Sequence, residues 1–175
     1  MPQPADFASA GDAVDPVDAV VGQWRRERPD LDSSPMHVVG RISRLHWALE
    51  ERLVRVFERY GLGRGEFDVL ATLRRSGTPY ELTPGELSGS TMVTSGAVTK
   101  RVDRLERAGL VARRTAEDDG RGRLIRLTDA GLALIDDVME AHVRNEAELL
   151  AGLTEDERAA LTGLLRKLGL TLPQD

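Results

Sequence analysis

Nine basic residues fall between positions 100 and 126: Lys100, Arg101, Arg104, Arg107, Arg113, Arg114, Arg121, Arg123 and Arg126. Five acidic residues share that stretch, so it carries +4, while the other 15 basic and 24 acidic residues leave the remainder at −9 and the whole chain at −5. Guanidinium groups at this density suit phosphate, which they hold by charge and by forked hydrogen bonds. A basic segment on an acidic body would bind polyanions locally; the competing account is a solvated charged face. Other chemistry is poorly supplied. The chain has no cysteine, which removes disulfides, thiolate metal sites, iron–sulfur ligation and cysteine nucleophiles. His37, His46 and His142 lack metal-ligand spacing, and no nucleophile–base pair or phosphate-cradling glycine loop is recognisable. Neither an enzyme, nor a metal, nor a cofactor is expected.

These cations need elements to position them. At 175 residues, with 41% hydrophobic, 30% charged and only 4% aromatic residues, the chain fits one mainly α domain packed through Leu, Val and Ala. Residues 1–14 lack a period and predict a mobile tail. The first twenty residues carry Asp6, Asp12, Asp15 and Asp18 but no Lys or Arg, unlike a signal peptide, and no apolar run is long enough to cross a bilayer. A cytoplasmic protein is expected.

Asp15-Pro16 opens a short amphipathic helix with Val17, Val20, Val21 and Trp24 on one face, ending near Pro29. Ser34-Pro35 opens a longer one in which Val38, Ile42, Leu45, Leu49, Leu53, Val56 and Tyr60 keep steps of three and four up to Gly61. Arg64–Arg75 reads as a third helix. Thr83-Pro84-Gly85-Glu86 is a capping box for a short fourth helix reaching about Gly89. After the polar turn Ser90–Thr94, Ser95–Ala108 forms a fifth, with Val98, Val102 and Leu105 inward and Gly109 as its stop. Leu110–Arg114 and Arg123–Leu127 predict strands of a hairpin about the Asp- and Gly-rich turn 117–122. Thr128 caps a long helix to about Ala151, and a capping box at Thr154-Glu155-Asp156-Glu157 opens the last.

A helix-turn-helix followed by a basic hairpin is a winged helix. The expected organisation is a flexible tail (1–14), N-terminal dimerisation helices with one extra helix (15–62), a winged helix-turn-helix lobe with a two-stranded wing (63–128) and C-terminal dimerisation helices (129–175). Long apolar stripes on the terminal helices exceed what one small lobe can cover, which predicts a homodimer. On the fifth helix Lys100, Asp103, Arg104 and Arg107 lie roughly opposite the inward residues, while Ser95, Gly96 and Ala97 leave its N-terminus open to close approach. Candidate DNA contacts are therefore Ser95, Gly96, Thr99, Lys100, Arg104 and Arg107 on the helix, with Arg121 and Arg123 in the wing. Arg101 lies only about 70° from the inward direction. It needs an anionic partner, and Asp68 is the candidate.

Leu105-Glu-Arg-Ala-Gly-Leu-Val-Ala-Arg-Arg114, Asp118-Asp119-Gly-Arg-Gly-Arg123 and Leu127-Thr-Asp-Ala-Gly131 together resemble the multiple-antibiotic-resistance regulator (MarR) family, over residues 35 to 169. The resemblance implies a homodimeric winged-helix protein that binds double-stranded DNA and carries a small-molecule site between its dimer helices and its DNA-binding lobe. Ser33-Ser-Pro-Met-His-Val-Val-Gly-Arg41, Gly65-Glu-Phe-Asp-Val-Leu-Ala-Thr-Leu-Arg74 and the added helix with Trp24 look like that family's urate-responsive PecS/HucR branch. That likeness implies a repressor of a palindromic operator, with Trp24, Asp68, Arg101 and Arg113 as the effector set. Where the branch commonly reads Asp-Arg-Arg, this chain has Asp119-Gly120-Arg121, which leaves open which wing arginine enters a minor groove.

The set is complementary to urate, a flat monoanion: two guanidinium groups for charge, Asp68 for a ligand N–H and Trp24 for stacking. Citrate, aconitate or an aromatic carboxylate would satisfy two arginines as well, and a winged helix can also serve as a protein-interaction module. Read as residues alone, Trp24 fits helix packing, Asp68 a structural ion pair and Arg113 a solvated strand position. His46 and Trp47 fit a dimer boundary, and His142 a helix face.

Overall fold

The structure is a computed structural model; it describes residues 15–90, 95–115 and 123–172, with residues 95–97 described by backbone only. The expected tail and the wing turn with Gly120 and Arg121 lie outside the described residues. The described residues fold as two units, divided between Glu51 and Arg52.

In the first unit, helix α1 (Pro16–Glu27) begins where Asp15 accepts a hydrogen bond from the Val17 amide at 2.8 Å. Helix α2 (Met36–Glu58) starts in this unit and ends in the second. Val17 and Val21 are buried, and Gly40 of α2 leaves room for Val17: a Cβ there would lie 3.2 Å from its Cγ1. Arg41 fastens the pair, donating from Nε to Asp15 Oδ2 at 2.9 Å and from Nη2 to Asp18 Oδ1 at 2.8 Å. Its hydrogen bond and charge hold the Asp18 carboxyl below the usual carboxylate range. Val38, Val39, Leu45 and Trp47 of α2 stand exposed.

The second unit wraps a core around α3 (Arg64–Arg75), α4 (Pro84–Ser90), α5 (Ser95–Arg107) and the start of α6 (Asp129–Leu149). Val69, Leu70, Leu73, Leu87, Val102, Leu105 and Ile135 are fully enclosed. The inward row expected for α5, Val98, Val102 and Leu105, is the row that is buried. Helix α7 (Glu155–Thr171) carries the expected capping box, with Thr154 and Glu157 bonded reciprocally, but buries none of its residues. Leu161, Leu164, Leu165 and Leu170 are exposed along it.

The expected hairpin forms, one strand displaced by a residue: β2 (Val111–Thr115) pairs antiparallel with β3 (Arg123–Leu127), Arg113 opposite Ile125. A third strand, β1 (Glu81–Leu82), flanks β3 on its other side, so the order is β1-β3-β2. Two residues are too few to show an alternating pattern, which is why sequence periodicity misses it.

Between α5 and the wing, Gly109 adopts φ +72°, a conformation suited to glycine, and turns the chain into β2. Thr128 then ties three elements: its amide donates to Leu110 O at 3.1 Å, its hydroxyl to Gly109 O at 2.7 Å, and the hydroxyl oxygen accepts from Gly131 N at 3.0 Å. A Cβ on Gly131 would sit 1.9 Å from Leu110 O. The obstacle is backbone and cannot swing aside. Gly131→Ala should therefore destabilise the fold by about 3 kcal/mol, read as a fall in the urea midpoint; an unchanged midpoint would show that the junction yields freely.

Candidate nucleic-acid interface and anion site

A reciprocal cap sets the entry to α4, with Thr83 N donating to Glu86 Oε2 at 2.8 Å and Glu86 N to Thr83 Oγ1 at 3.2 Å. Helix α5 follows as the second helix of the motif. Thr99, Lys100, Arg104 and Arg107 lie exposed on it, as does Arg123 at the start of β3. Ser95 and Gly96 form its first turn, and Arg121 falls outside the described residues.

The outward arginines are oriented. Arg104 Nη1 donates to Glu66 Oε1 at 2.6 Å, and Glu66 itself is only 7% exposed. A buried carboxylate thus holds one edge of a guanidinium whose remaining donors face solvent. Arg107 Nε donates to Asp103 O of its own helix at 3.2 Å.

Arg113 is bound differently from the solvated residue that strand position alone suggests. Its guanidinium pairs with both Asp103 and Glu106 of α5, and its amide donates to Glu106 Oε1 at 3.2 Å. The side chain is 26% exposed. Asp103, expected on the outer face with Lys100 and Arg104, has its carboxylate on Arg113 of the wing. Neither partner is singled out by the sequence; the signal was an Asp and a Glu three apart in a basic helix, one turn of one face.

Arg101 leans inward as its place on the wheel requires. It lies across Gly65 of α3 so closely that a Cβ on Gly65 would be 2.0 Å from Arg101 Nε. Asp68, one turn further along α3, is 9% exposed. Arg101 Nη1 is buried with no hydrogen-bond partner among the described residues, so Asp68 does not satisfy that atom. Trp24 stands on α1, 42% exposed. The structure thus sets Arg101 beside the α3 face that carries Asp68, and Arg113 against the acidic side of α5. Gly65, Glu66 and Glu106 are the participants that sequence reasoning missed.

The wing is anchored at its other edge. Arg114 donates to both oxygens of Glu81, at 2.8 and 2.6 Å, across the intervening β3. These hydrogen bonds, with the charges of Arg114 and Arg126, hold the Glu81 carboxyl below its usual range.

Two successive helices, the second cationic and leading into a two-stranded wing, define a winged-helix DNA-binding regulator. The MarR family pattern matches residues 60–122. The HTH-type transcriptional regulator PecS of Dickeya dadantii (strain 3937) is 45% identical over 152 residues, 87% of this chain and 92% of that protein. The organohalide-sensing regulator RdhR-CbdbA1625, ligand-free, has the same fold with a TM-score of 0.70 at 22% identity, over 83% of this chain and 86% of its own. A mutant of MarR from E. coli complexed with operator DNA gives a TM-score of 0.66 at 28% identity, over 86% of this chain and 98% of that one. The chain belongs to the MarR family. It is a DNA-binding transcriptional regulator and not an enzyme. No helix among the described residues is long and apolar enough to cross a membrane.

The Glu81 pairing has a defined acid limit. A folded value below the ordinary glutamate value of about 4.3 means that the pairing stabilises at neutral pH and is lost as pH falls through the folded value. Glu81→Gln should melt below the parent by a constant margin between about pH 7 and about pH 5, and the margin should close below about pH 4. A margin that persists undiminished to about pH 3 would place the pairing outside the wing's stability.

Proposed function

We propose that the protein is a cytoplasmic repressor that binds a palindromic operator as a homodimer and is released by a small anion, urate foremost. The observation that carries this reading is Arg101 Nη1, a buried guanidinium nitrogen on the DNA-facing helix with no partner among the described residues. Leaving a charged donor unsatisfied is costly, and an anion beside Asp68 and Arg101 would satisfy it. In the unliganded state Arg113 ties the wing to Asp103 and Glu106 of α5. An anion between the two arginines competes with those carboxylates for Arg113 and adds negative charge next to Asp68, so α5 moves relative to the wing. A tenfold loss of DNA affinity needs about 1.4 kcal/mol of such coupling. Trp24 joins the set by its sequence resemblance alone, as a stacking surface. Residues 15–62 and 129–175 would dimerise around the 63–128 lobe, with Ser95, Gly96, Thr99, Lys100, Arg104 and Arg107 in successive major grooves and the wing, through Arg121 and Arg123, at the flanking minor grooves.

The exposed apolar residues of α2 and α7 support the dimer. Light scattering should give twice the chain mass at micromolar concentration, and a monomer there would refute it. Gel shifts with operator fragments test the effector. Urate should release the parent protein. Gly65→Ala, whose added methyl evicts Arg101, and Trp24→Phe should each raise the urate needed for half release roughly tenfold. Release of both variants at the parental concentration would put the effector elsewhere; release by citrate but not urate would make it a polycarboxylate.

A further inference from the structure

Helix α3 ends in two successive arginines whose side chains part. Arg74 joins α6, its Nε donating to Asp136 Oδ1 at 2.7 Å, and its guanidinium carbon lies 5.0 Å from the centre of the Tyr80 ring. With Leu73 fully buried just before it, the last turn of α3 is a fixed post. Arg75 instead reaches α4, where its Nη2 donates to the main-chain carbonyl of Ser90, the last residue of that helix. Arg74, Arg104, Arg113 and Arg114 of the lobe hold carboxylates. Arg75 holds the end of a helix.

The last four carbonyls of a helix have no partner within it, and a cationic donor from outside can satisfy one of them. For α4 that donor matters more than usual. Of its seven residues Leu87 alone is buried, so one side chain fixes its place in the core and leaves it able to turn about that point. The Thr83–Glu86 cap secures its first turn, and Arg75 secures its last residue. Ser90 precedes Ser95, the first residue of α5, by five positions. Where α4 ends therefore constrains where α5 begins, and recognition needs its side chains held to within about 0.5 Å of the productive geometry. We propose that Arg75 is a positioning residue for operator recognition: by capping the C-terminus of α4 it sets the direction in which α5 enters the major groove, without touching the DNA. This concerns DNA binding itself and stands apart from the effector and from the Arg101 and Arg113 site.

The full-length parent is first used to select a duplex from a random-sequence pool. Fluorescence anisotropy then compares that duplex with a scrambled one of equal composition, at salt between about 50 and about 200 mM. Arg75→Ala should bind the selected duplex at least roughly tenfold more weakly and the scrambled one like the parent. Its slope of log affinity against log salt should stay parental, because no phosphate contact has gone. Arg75→Lys, whose ammonium can still donate to Ser90 O, should recover to within roughly threefold of the parent. Because Arg75 is exposed, both variants should keep the parental urea midpoint. Four results overturn the proposal. Arg75→Ala with parental affinity for the selected duplex would leave the cap without a role in recognition. An equal loss on both duplexes, with a slope shallower by about 0.9 per half-site, would make Arg75 a phosphate contact. A loss that only follows a lowered urea midpoint would confine the contact to stability, and Arg75→Lys as weak as Arg75→Ala would take the Ser90 carbonyl out of the account.

Discussion

The lobe's geometry rests on the grip of Arg113 upon Asp103 and Glu106. Two carboxylates one turn apart on a helix repel each other, and a planar guanidinium with several donors can neutralise both at once. The same contact binds the first wing strand to the basic helix, so wing and helix move as one piece while it holds. It also resolves a conflict in the charge count. Acidic residues inside a basic helix ought to weaken its attraction for phosphate, but these carboxylates are turned to the wing. The face left over is Thr99, Lys100, Arg104 and Arg107, exposed and cationic. Glu66 repeats the arrangement from α3, holding Arg104 by one nitrogen and leaving the others to solvent.

Much of this could be read from residue order, because the lobe's elements announce themselves locally. Caps at Asp15, Thr83, Thr128 and Thr154 mark helix starts by chemistry confined to a few neighbouring residues, and all four form. The buried row of α5 follows from period alone. What was not readable depends on neighbours distant in sequence. β1 exists only because β3 offers it an edge. The partners of Arg113 lie seven and ten positions away on another element, and the course of the Arg101 side chain is set by Gly65, whose value lies in a side chain it does not have. Wheel geometry places Arg101 inward correctly; it cannot reveal that the guanidinium crosses a glycine and leaves Nη1 without a partner among the described residues. Gly131 stood at the end of a recognisable motif, yet its reason is the carbonyl of Leu110, visible only when the two are brought together.

That contact between Gly131 and Leu110 makes α6 a lever. Thr128 bonds at once to the turn that ends α5 and to the first turn of α6, and the missing methyl lets the two backbones meet without slack. With 21 residues, α6 is an arm about 32 Å long. A tilt of about 5° at its pivot would sweep the far end through about 3 Å on that length. Ile135 and Val138 pack α6 into the lobe's core, so a rotation of the lobe carries α6 with it and displaces its far end most. In reverse, whatever grips that end restrains the lobe with mechanical advantage.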